Sequence, residues 1–234
     1  MSDTPYWKVL ASDFDGTLAS HGIVAEETYA ALARARAAGI AVLLVTGREM
    51  RDFGPLGVRL EVFDCIVAEN GAVLHIPSSG AHTLLAPAPS QPLIDAMVTR
   101  GITDYSAGQT ILATWVPHET VVLECIKELG LELTITFNKG AVMVLPPGVN
   151  KASGLKAALG QLGLDVARTV GVGDAENDHA FLTACGCAVA VANALDSLKE
   201  TAHFVTTGRA GEGVAELIDL MIEGRLPQPG EKTS

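Results

Sequence analysis

The chain has 234 residues, of which 48% are hydrophobic and 5% aromatic, and its formal net charge is −11. This acidic balance argues against a nucleic-acid partner, because phosphate backbones are bound by basic surfaces. No apolar stretch reaches the ~20 residues of a membrane helix, and the first residues lack the pattern of a secretory signal. We therefore expect a cytoplasmic protein with no membrane partner, and nothing in the sequence implies a protein partner.

The sequence pattern of the first 70 residues predicts strands and helices in alternation. An apolar strand covers residues 8–12, an alanine-rich helix covers 26–38, and two further apolar strands cover 40–45 and 64–68. Continuous apolar runs of this length are typical of strands that are buried on both faces. The alternation therefore predicts an α/β fold, in which helices cover both faces of a parallel sheet.

The middle of the chain has a different pattern. Apolar and polar residues alternate over 131–137, which predicts a strand with one apolar and one solvated face. A turn at 138–140 leads into the apolar run 141–145, so an antiparallel hairpin is expected. A helix with one apolar face precedes the hairpin and ends at Gly130. Residues 73–147 are therefore predicted to form a small α+β unit inserted into the α/β core.

The α/β alternation returns after Asn150. The predicted elements are a helix over 151–162, a strand over 169–172, a helix over 176–184, a strand over 187–191 and a helix over 214–222. Residues 1–72 and 148–234 are accordingly assigned to a core domain and 73–147 to a cap domain. We expect the tail from Leu226 to be disordered. Cys185 and Cys187 are interpreted as small core residues, because four scattered cysteines are too few for a disulfide framework.

Four short segments place polar side chains where a predicted strand ends or a helix begins. Ligands of open parallel sheets bind outside the carboxyl ends of the strands, so these segments are expected to converge. Each has an ordinary explanation, as a helix cap, a solvated lysine or a turn, but their joint occurrence favours one site. The segments are Asp13-Phe14-Asp15-Gly16-Thr17, Thr46-Gly47-Arg48, Lys151 and Gly173-Asp174-Ala175-Glu176-Asn177-Asp178.

The order of these four motifs resembles the haloacid dehalogenase (HAD) superfamily of phosphohydrolases. The long insert between Thr46 and Lys151 resembles its subclass IIB, or C2-capped, branch, and so does Glu69-Asn70-Gly71-Ala72. That branch includes Cof-type sugar phosphatases, archaeal phosphoglycolate phosphatase and sucrose-phosphate phosphatase. The resemblance implies a Rossmann-like parallel-sheet core with an inserted α+β cap of the C2 type.

The resemblance also implies residue roles. Asp13 would be the nucleophile that forms an aspartyl-phosphate, and Asp15 would be the general acid and base. Mg²⁺ would be held by oxygen ligands, with Asp178 acting directly or through water. The implied metal ligands are Asp13, Asp15, Asp174 and Asp178, and the implied phosphate-binding residues are Thr46, Gly47, Lys151 and Asn177.

The expected function is that of a Mg²⁺-dependent phosphatase acting on a small phosphorylated metabolite, such as a sugar phosphate or a phosphoglycolate-like ester. The alternatives are a phosphohexomutase, which uses the same aspartates, and a non-catalytic regulator on the same scaffold. Specificity is expected on the cap, although the sequence does not reveal which face meets the site. The candidate polar residues there are Tyr105, Trp115, Glu132, Thr134, Thr136 and Lys139.

Overall fold

Residues 5–228, the part of the chain that the computed structural model describes, form twelve β-strands and eight α-helices. The strands are β1 (Val9–Ser12), β2 (Ala41–Val45), β3 (Cys65–Ala68), β4 (Val73–Ile76), β5 (Ala81–Leu84), β6 (Ser106–Ala107), β7 (Leu112–Trp115), β8 (Thr134–Asn138), β9 (Ala141–Leu145), β10 (Thr169–Gly173), β11 (Cys187–Ala190) and β12 (Phe204–Val205). The helices are α1 (Glu26–Ala37), α2 (Phe53–Leu56), α3 (Gln91–Thr99), α4 (Glu119–Glu128), α5 (Lys151–Leu162), α6 (His179–Ala184), α7 (Asp196–Thr201) and α8 (Ala210–Ile222).

A large sheet organises the described residues, with the strand order β12-β11-β10-β1-β2-β3-β4-β5. The strands from β12 to β3 are parallel to their neighbours. Helix α1 packs on α8, and α5 packs on α6. Strands β1, β3 and β10 are buried along their whole length, as expected when helices cover both faces of a sheet. The predicted α/β fold is confirmed.

The edge of the large sheet differs from the sequence prediction. Strand β4 pairs antiparallel with β3, and β5 pairs antiparallel with β4. Val73 and Leu74 are buried in the large core. Residues 73–84 therefore extend the large sheet, whereas the sequence prediction starts the insert at 73. Alternating strands and helices predict parallel neighbours in a sheet. This pattern does not predict a strand that pairs antiparallel with the strand just before it in the chain. We propose that residues 85–147 form the cap.

The cap contains an antiparallel sheet with the strand order β6-β7-β9-β8. The β8–β9 hairpin turns at Lys139 and Gly140, as predicted. Alternate residues of β9 face opposite sides, because the side-chain period of a strand is two. Val144 packs in the cluster that includes α3 and α4, whereas Met143 packs in a cluster with Ala72. The face of the cap sheet that carries Met143 is therefore turned toward the large sheet.

The first strand of this hairpin is shorter than predicted. β8 begins at Thr134 rather than at residue 131. Leu133 and Ile135 pack against the apolar cluster of the cap, but Phe137, predicted on the same apolar face, is 47% exposed. β8 is an edge strand of its sheet, so it has a neighbour on one side only. The alternating pattern predicted the pairing correctly and the burial of Phe137 wrongly.

The C-terminal tail and the cysteines test two further expectations. Leu226 is buried against the large core, which contradicts disorder starting at that residue; residues 229–234 lie outside the described part. The four cysteines are unpaired and buried, as expected for small core residues. Burial raises the pKa of the Cys185 thiol to about 12.

Within residues 5–228 we find no helix with the length and apolar character needed to span a bilayer.

Candidate active site

Three predicted site residues follow directly on adjacent strands of the large sheet. Asp13 follows β1, Thr46 follows β2 and Asp174 follows β10, and β1 lies between the other two strands. The Asp13 backbone N–H donates to the Val172 carbonyl at 3.0 Å, and that of Thr46 donates to the Val67 carbonyl at 2.8 Å. These bonds extend the sheet ladder by one residue, so the backbones of Asp13 and Thr46 are fixed at its edge. The side chains of all three residues are buried.

Lys151 joins this cluster from the first turn of α5. Asn150 caps the helix, accepting a bond from the Ser153 backbone N–H at 3.0 Å. The Lys151 side chain is 1% exposed, and its Nζ lies 2.6 Å from Asp13 Oδ1 and 2.6 Å from Asp178 Oδ1. The alternative that Lys151 is an ordinary solvated helix residue is therefore excluded.

Close backbone packing brings α5 to the cluster. A Cβ on Gly154 would lie 2.3 Å from the Gly71 Cα, so neither position has room for a side chain. A Cβ on Gly16 would likewise lie 2.3 Å from Asp174 Oδ2, and Gly16 has a positive φ of +85°. Glycine is the residue that adopts such a conformation without steric cost. These glycines permit the segments that carry Asp15, Asp174 and Lys151 to meet.

Asp178 is held entirely by protein donors. Its Oδ2 accepts bonds from the backbone N–H groups of Asp174 and Ala175, both at 2.9 Å, and its Oδ1 accepts from Lys151. The carboxylate is fully buried. Asp178 therefore orders the loop that presents Asp174 and holds the Lys151 ammonium in place.

The cluster carries more negative than positive charge in a buried setting. Burial, reinforced by the nearby Asp178 carboxylate, raises the pKa of Asp13 to about 7, although Lys151 opposes the shift. Burial also acts to lower the pKa of Lys151, but the Asp13 and Asp178 carboxylates outweigh it and raise that pKa. Burial raises the pKa of Asp174, against the effect of Lys139. A further cation would stabilise this cluster.

The same residues fit a divalent metal ion. One carboxylate oxygen from each of Asp13, Asp174 and Asp178 lies within 4.8 Å of the others. The Lys139 ammonium lies 2.6 Å from the Asp15 carbonyl oxygen and 3.0 Å from Asp174 Oδ2, so a cationic group is already accommodated there. Hard oxygen donors of this kind suit Mg²⁺.

Arg48 holds the second aspartate of the first motif. Its Nε donates to Asp15 Oδ2 at 2.7 Å and its Nη2 to Asp15 Oδ1 at 2.8 Å, a bidentate pair. The guanidinium also lies 5.4 Å from the centre of the Phe14 ring. Bidentate pairing of this kind fixes the orientation of the two groups, so Arg48 orients the Asp15 carboxylate within the cleft. The sequence pattern places the segment Thr46-Gly47-Arg48 at the site but assigns no role to Arg48.

The remaining predicted phosphate-binding residues lie at the same edge. Thr46 Oγ1 accepts a bond from the Arg48 backbone N–H at 3.1 Å, and Thr46 and Gly47 both line the cleft between the two sheets. Asn177 is turned elsewhere: its Nδ2 donates to Asn70 Oδ1 at 3.1 Å. Its Oδ1 is buried without a protein partner among the described residues. Within the described part of the chain, Asn177 therefore makes no hydrogen bond to Lys151, although both line one small pocket.

A cleft of about 610 Å³ lies between the large sheet and the cap, with Asp13 and Asp15 on one wall. Of the cap residues considered for specificity, Tyr105, Trp115 and Lys139 line this cleft. Thr136 lines a smaller pocket with Asn177 and Lys151. Glu132 lines an apolar pocket together with the proline-containing segments 87–90 and 146–147. Thr134 is exposed. The cleft brings three cap side chains within the same cavity as the aspartates.

Glu69 fastens the cap to the large sheet. Its carboxylate accepts bonds from the backbone N–H groups of Gln109, Thr110 and Ile111, at 2.9–3.1 Å, and from the Thr110 hydroxyl at 2.9 Å. The Glu69 side chain is buried, and a Cβ on Gly108 would lie 2.6 Å from its Oε2. Each buried N–H needs an acceptor. Glu69 therefore sets the position of the cap loop over the cleft.

Glu69→Ala is expected to loosen the cap. The change leaves three N–H groups and one hydroxyl without their acceptor, and unsatisfied buried groups cost about 1–3 kcal/mol each before the loop rearranges. We expect urea denaturation to show about 2 kcal/mol less stability, and limited proteolysis to cut residues 85–110 faster. Glu124→Ala, on the exposed side of α4, is the matched control. Equal stability of the two variants would contradict this role of Glu69.

Comparison with known proteins shows the family to which the chain belongs. The family model for haloacid dehalogenase-like hydrolases matches residues 10–97 and 113–218. A phosphoglycolate phosphatase of Methanothermobacter thermautotrophicus is 33% identical over 219 residues, which cover 90% of this chain and 97% of that protein.

Solved structures agree on the fold. A HAD/COF-like hydrolase of Plasmodium vivax superposes with a TM-score of 0.79 at 22% identity, covering 94% of this chain and 96% of that one. A HAD subclass IIB sugar phosphatase superposes with a TM-score of 0.73 at 19% identity, covering 91% and 98%. The chain therefore belongs to the haloacid dehalogenase-like hydrolases and is a phosphatase of that family.

Proposed function

We propose that this phosphatase hydrolyses a small phosphorylated carboxylic acid such as phosphoglycolate, through an aspartyl-phosphate on Asp13. The observation that carries the proposal is the pairing of the buried Asp13, which lines the cleft, with Lys151 at a distance of 2.6 Å. The similarity to a phosphoglycolate phosphatase along 97% of its length supports the substrate class. The buried, unpaired cysteines agree with a reducing compartment, the cytoplasm.

In the first step, Asp13 attacks the phosphorus atom and the bond to the leaving oxygen breaks. Lys151 holds Asp13 Oδ1, so Oδ2 is the oxygen that can turn toward phosphorus. Asp15, about one-third exposed in the cleft, gives a proton to the leaving alcohol. Protonation at that stage avoids expelling a strongly basic alkoxide.

In the second step, water cleaves the aspartyl-phosphate. Asp15 takes a proton from the attacking water, and inorganic phosphate leaves while Asp13 regains its carboxylate. The two steps replace one difficult displacement by two easier ones. Arg48 holds the ionised Asp15 by both oxygens, the form that accepts the water proton in the second step. In the first step Asp15 carries a proton on one oxygen, and Arg48 orients it through the other.

Binding of the phosphoryl group falls to Thr46, Gly47 and Lys151 at the ends of β2 and the start of α5. A buried ammonium interacts strongly with spreading negative charge, because little water screens it. Asn177 contacts Asn70, and we propose that it acts through that residue in shaping the pocket beside Lys151.

The residues that would hold Mg²⁺ are Asp13, the Asp15 carbonyl and Asp174. Asp178 would contribute through water, because both of its oxygens already accept protein hydrogen bonds. When bound, Mg²⁺ offsets the repulsion between a carboxylate nucleophile and a phosphate dianion.

Removal of the metal is expected to abolish activity. With excess EDTA we expect phosphate release to fall to background, and added Mg²⁺ to restore it. Ca²⁺ should restore it poorly, because it takes six to eight ligands and would engage both Asp13 oxygens. Phosphate release is measured colorimetrically. Full activity in excess chelator would contradict the proposed roles of Asp174 and Asp178.

A panel of phosphate esters tests the substrate class. We expect phosphoglycolate to have the highest kcat/KM among phosphoglycolate, sugar phosphates and p-nitrophenyl phosphate. A hexose 1-phosphate serves as the arm for the alternative, because isomerisation without phosphate release would indicate a phosphohexomutase. No turnover of any ester with Mg²⁺ present would favour a non-catalytic regulator.

A further inference from the structure

The cap residue Lys139 reaches across to the catalytic aspartates. It stands at the tip of the β8–β9 hairpin with a positive φ of +49°, which is uncommon for a residue with a side chain. Its Nζ lies 2.6 Å from the Asp15 carbonyl oxygen and 3.0 Å from Asp174 Oδ2. Among the hydrogen bonds of residues 5–228, Lys139 is the only cap side chain that contacts these aspartates.

The cleft contains few positive groups for a substrate to meet. Of the described residues that line it, Arg48 and Lys139 are the cations. Arg48 is committed to both oxygens of Asp15. The Lys139 side chain is 47% exposed and ends in a flexible four-carbon stem. An anionic group of a substrate, apart from the transferred phosphoryl group, would therefore find Lys139 as its available partner.

Lys139 also shares oxygens with the proposed metal site. The Asp15 carbonyl and the Asp174 carboxylate, which contact its ammonium, are two of the three direct ligands proposed for Mg²⁺. Mg²⁺ and the Lys139 ammonium cannot both bind these oxygens closely, since like charges repel at short range. Metal binding would therefore release the Lys139 ammonium into the cleft.

We propose that Lys139 is the specificity residue that binds the carboxylate of the substrate. The ammonium would form a charge-assisted hydrogen bond to a carboxylate that lies close to the phosphoryl group. This inference rests on the proposed function and adds the residue that recognises the acid. Lys139 would favour phosphate esters whose leaving group carries a carboxylate over esters of similar size whose leaving group is uncharged.

The first test compares two esters that differ in that group, 2-phosphoglycolate and 2-hydroxyethyl phosphate. Lys139→Met should lower kcat/KM for 2-phosphoglycolate about tenfold or more, mainly through KM, because a hydrogen bond to a charged group is lost. The value for 2-hydroxyethyl phosphate should change less than about threefold. Lys127→Met removes the same charge from the exposed side of α4 and should leave both values near those of the wild type.

The second test measures Mg²⁺ binding by titration calorimetry without substrate. Lys139→Met should bind Mg²⁺ several-fold more tightly than the wild type and Lys127→Met, because its competitor for the oxygens is gone. Unchanged Mg²⁺ affinity, or an equal loss of kcat/KM for both esters, would overturn the assignment of Lys139 while the proposed phosphatase reaction stands. Failure of the wild type to hydrolyse either ester would instead overturn the proposed function, and the inference with it.

Discussion

Asp13→Asn is expected to lower kcat by at least about 10³-fold, because an amide cannot form the acyl phosphate that the covalent route requires. The amide keeps the shape of the side chain and can still accept a bond from Lys151, so the fold should persist. Phosphate release from 2-phosphoglycolate measures the effect. Mass spectrometry of acid-quenched enzyme should show a phosphorylated species for the wild type and none for the variant.

Asp95→Asn is the matched control for this substitution. Asp95 is exposed on α3 of the cap and is not among the described residues that line the cleft, and its Oδ1 accepts a bond from Gln91 Nε2 that an amide oxygen can also accept. Changing its carboxylate to an amide should alter kcat less than about threefold, as surface changes away from reacting groups commonly do. Appreciable turnover by folded Asp13→Asn would rule out the aspartyl-phosphate route.

The parts of the site on the large sheet could be predicted from the sequence. Asp13, Thr46 and Asp174 each follow an apolar run, and parallel strands bring their carboxyl ends to one edge. Lys151 opens a helix whose start is marked by the capping residue Asn150. These signals are local, so neighbouring residues are enough to place each group.

The contacts that cross between the two sheets could not be predicted. Lys139 meets Asp15 across 124 positions, and Glu69 meets Thr110 across 41. Both depend on how the cap lies on the core, which hydrophobic periodicity does not encode. The sequence prediction also missed the antiparallel pairing of β4 with β3. The alternation of strands and helices stops at this hairpin, although both of its strands belong to the large sheet.

Lys151→Met is expected to reduce the stability of the metal-free protein by about 3 kcal/mol and to remove most activity. The ammonium is the counter-charge of Asp13 and Asp178, 2.6 Å from each, and breaking a buried pair leaves uncompensated charge. Urea denaturation at pH 8 with EDTA measures the loss. Lys156→Met changes an exposed lysine of the same helix and should cost less than about 0.5 kcal/mol.

The pH dependence of this loss identifies its electrostatic cause. Burial already raises the pKa of Asp13 to about 7 with Lys151 present, and without the ammonium it should rise further. A carboxyl group with a raised folded-state pKa destabilises the fold increasingly as pH rises from its unfolded-state pKa to its folded-state pKa, and by a constant amount above that value. In the wild type this increase stops near pH 7, whereas in the variant it continues to higher pH. The deficit of Lys151→Met should therefore be larger at pH 8 than at pH 5.5, where a proton takes the place of the missing charge. A deficit that stays constant between these two pH values would mean that Lys151 contributes through the packing of its stem, and that its charge does not hold the aspartates together.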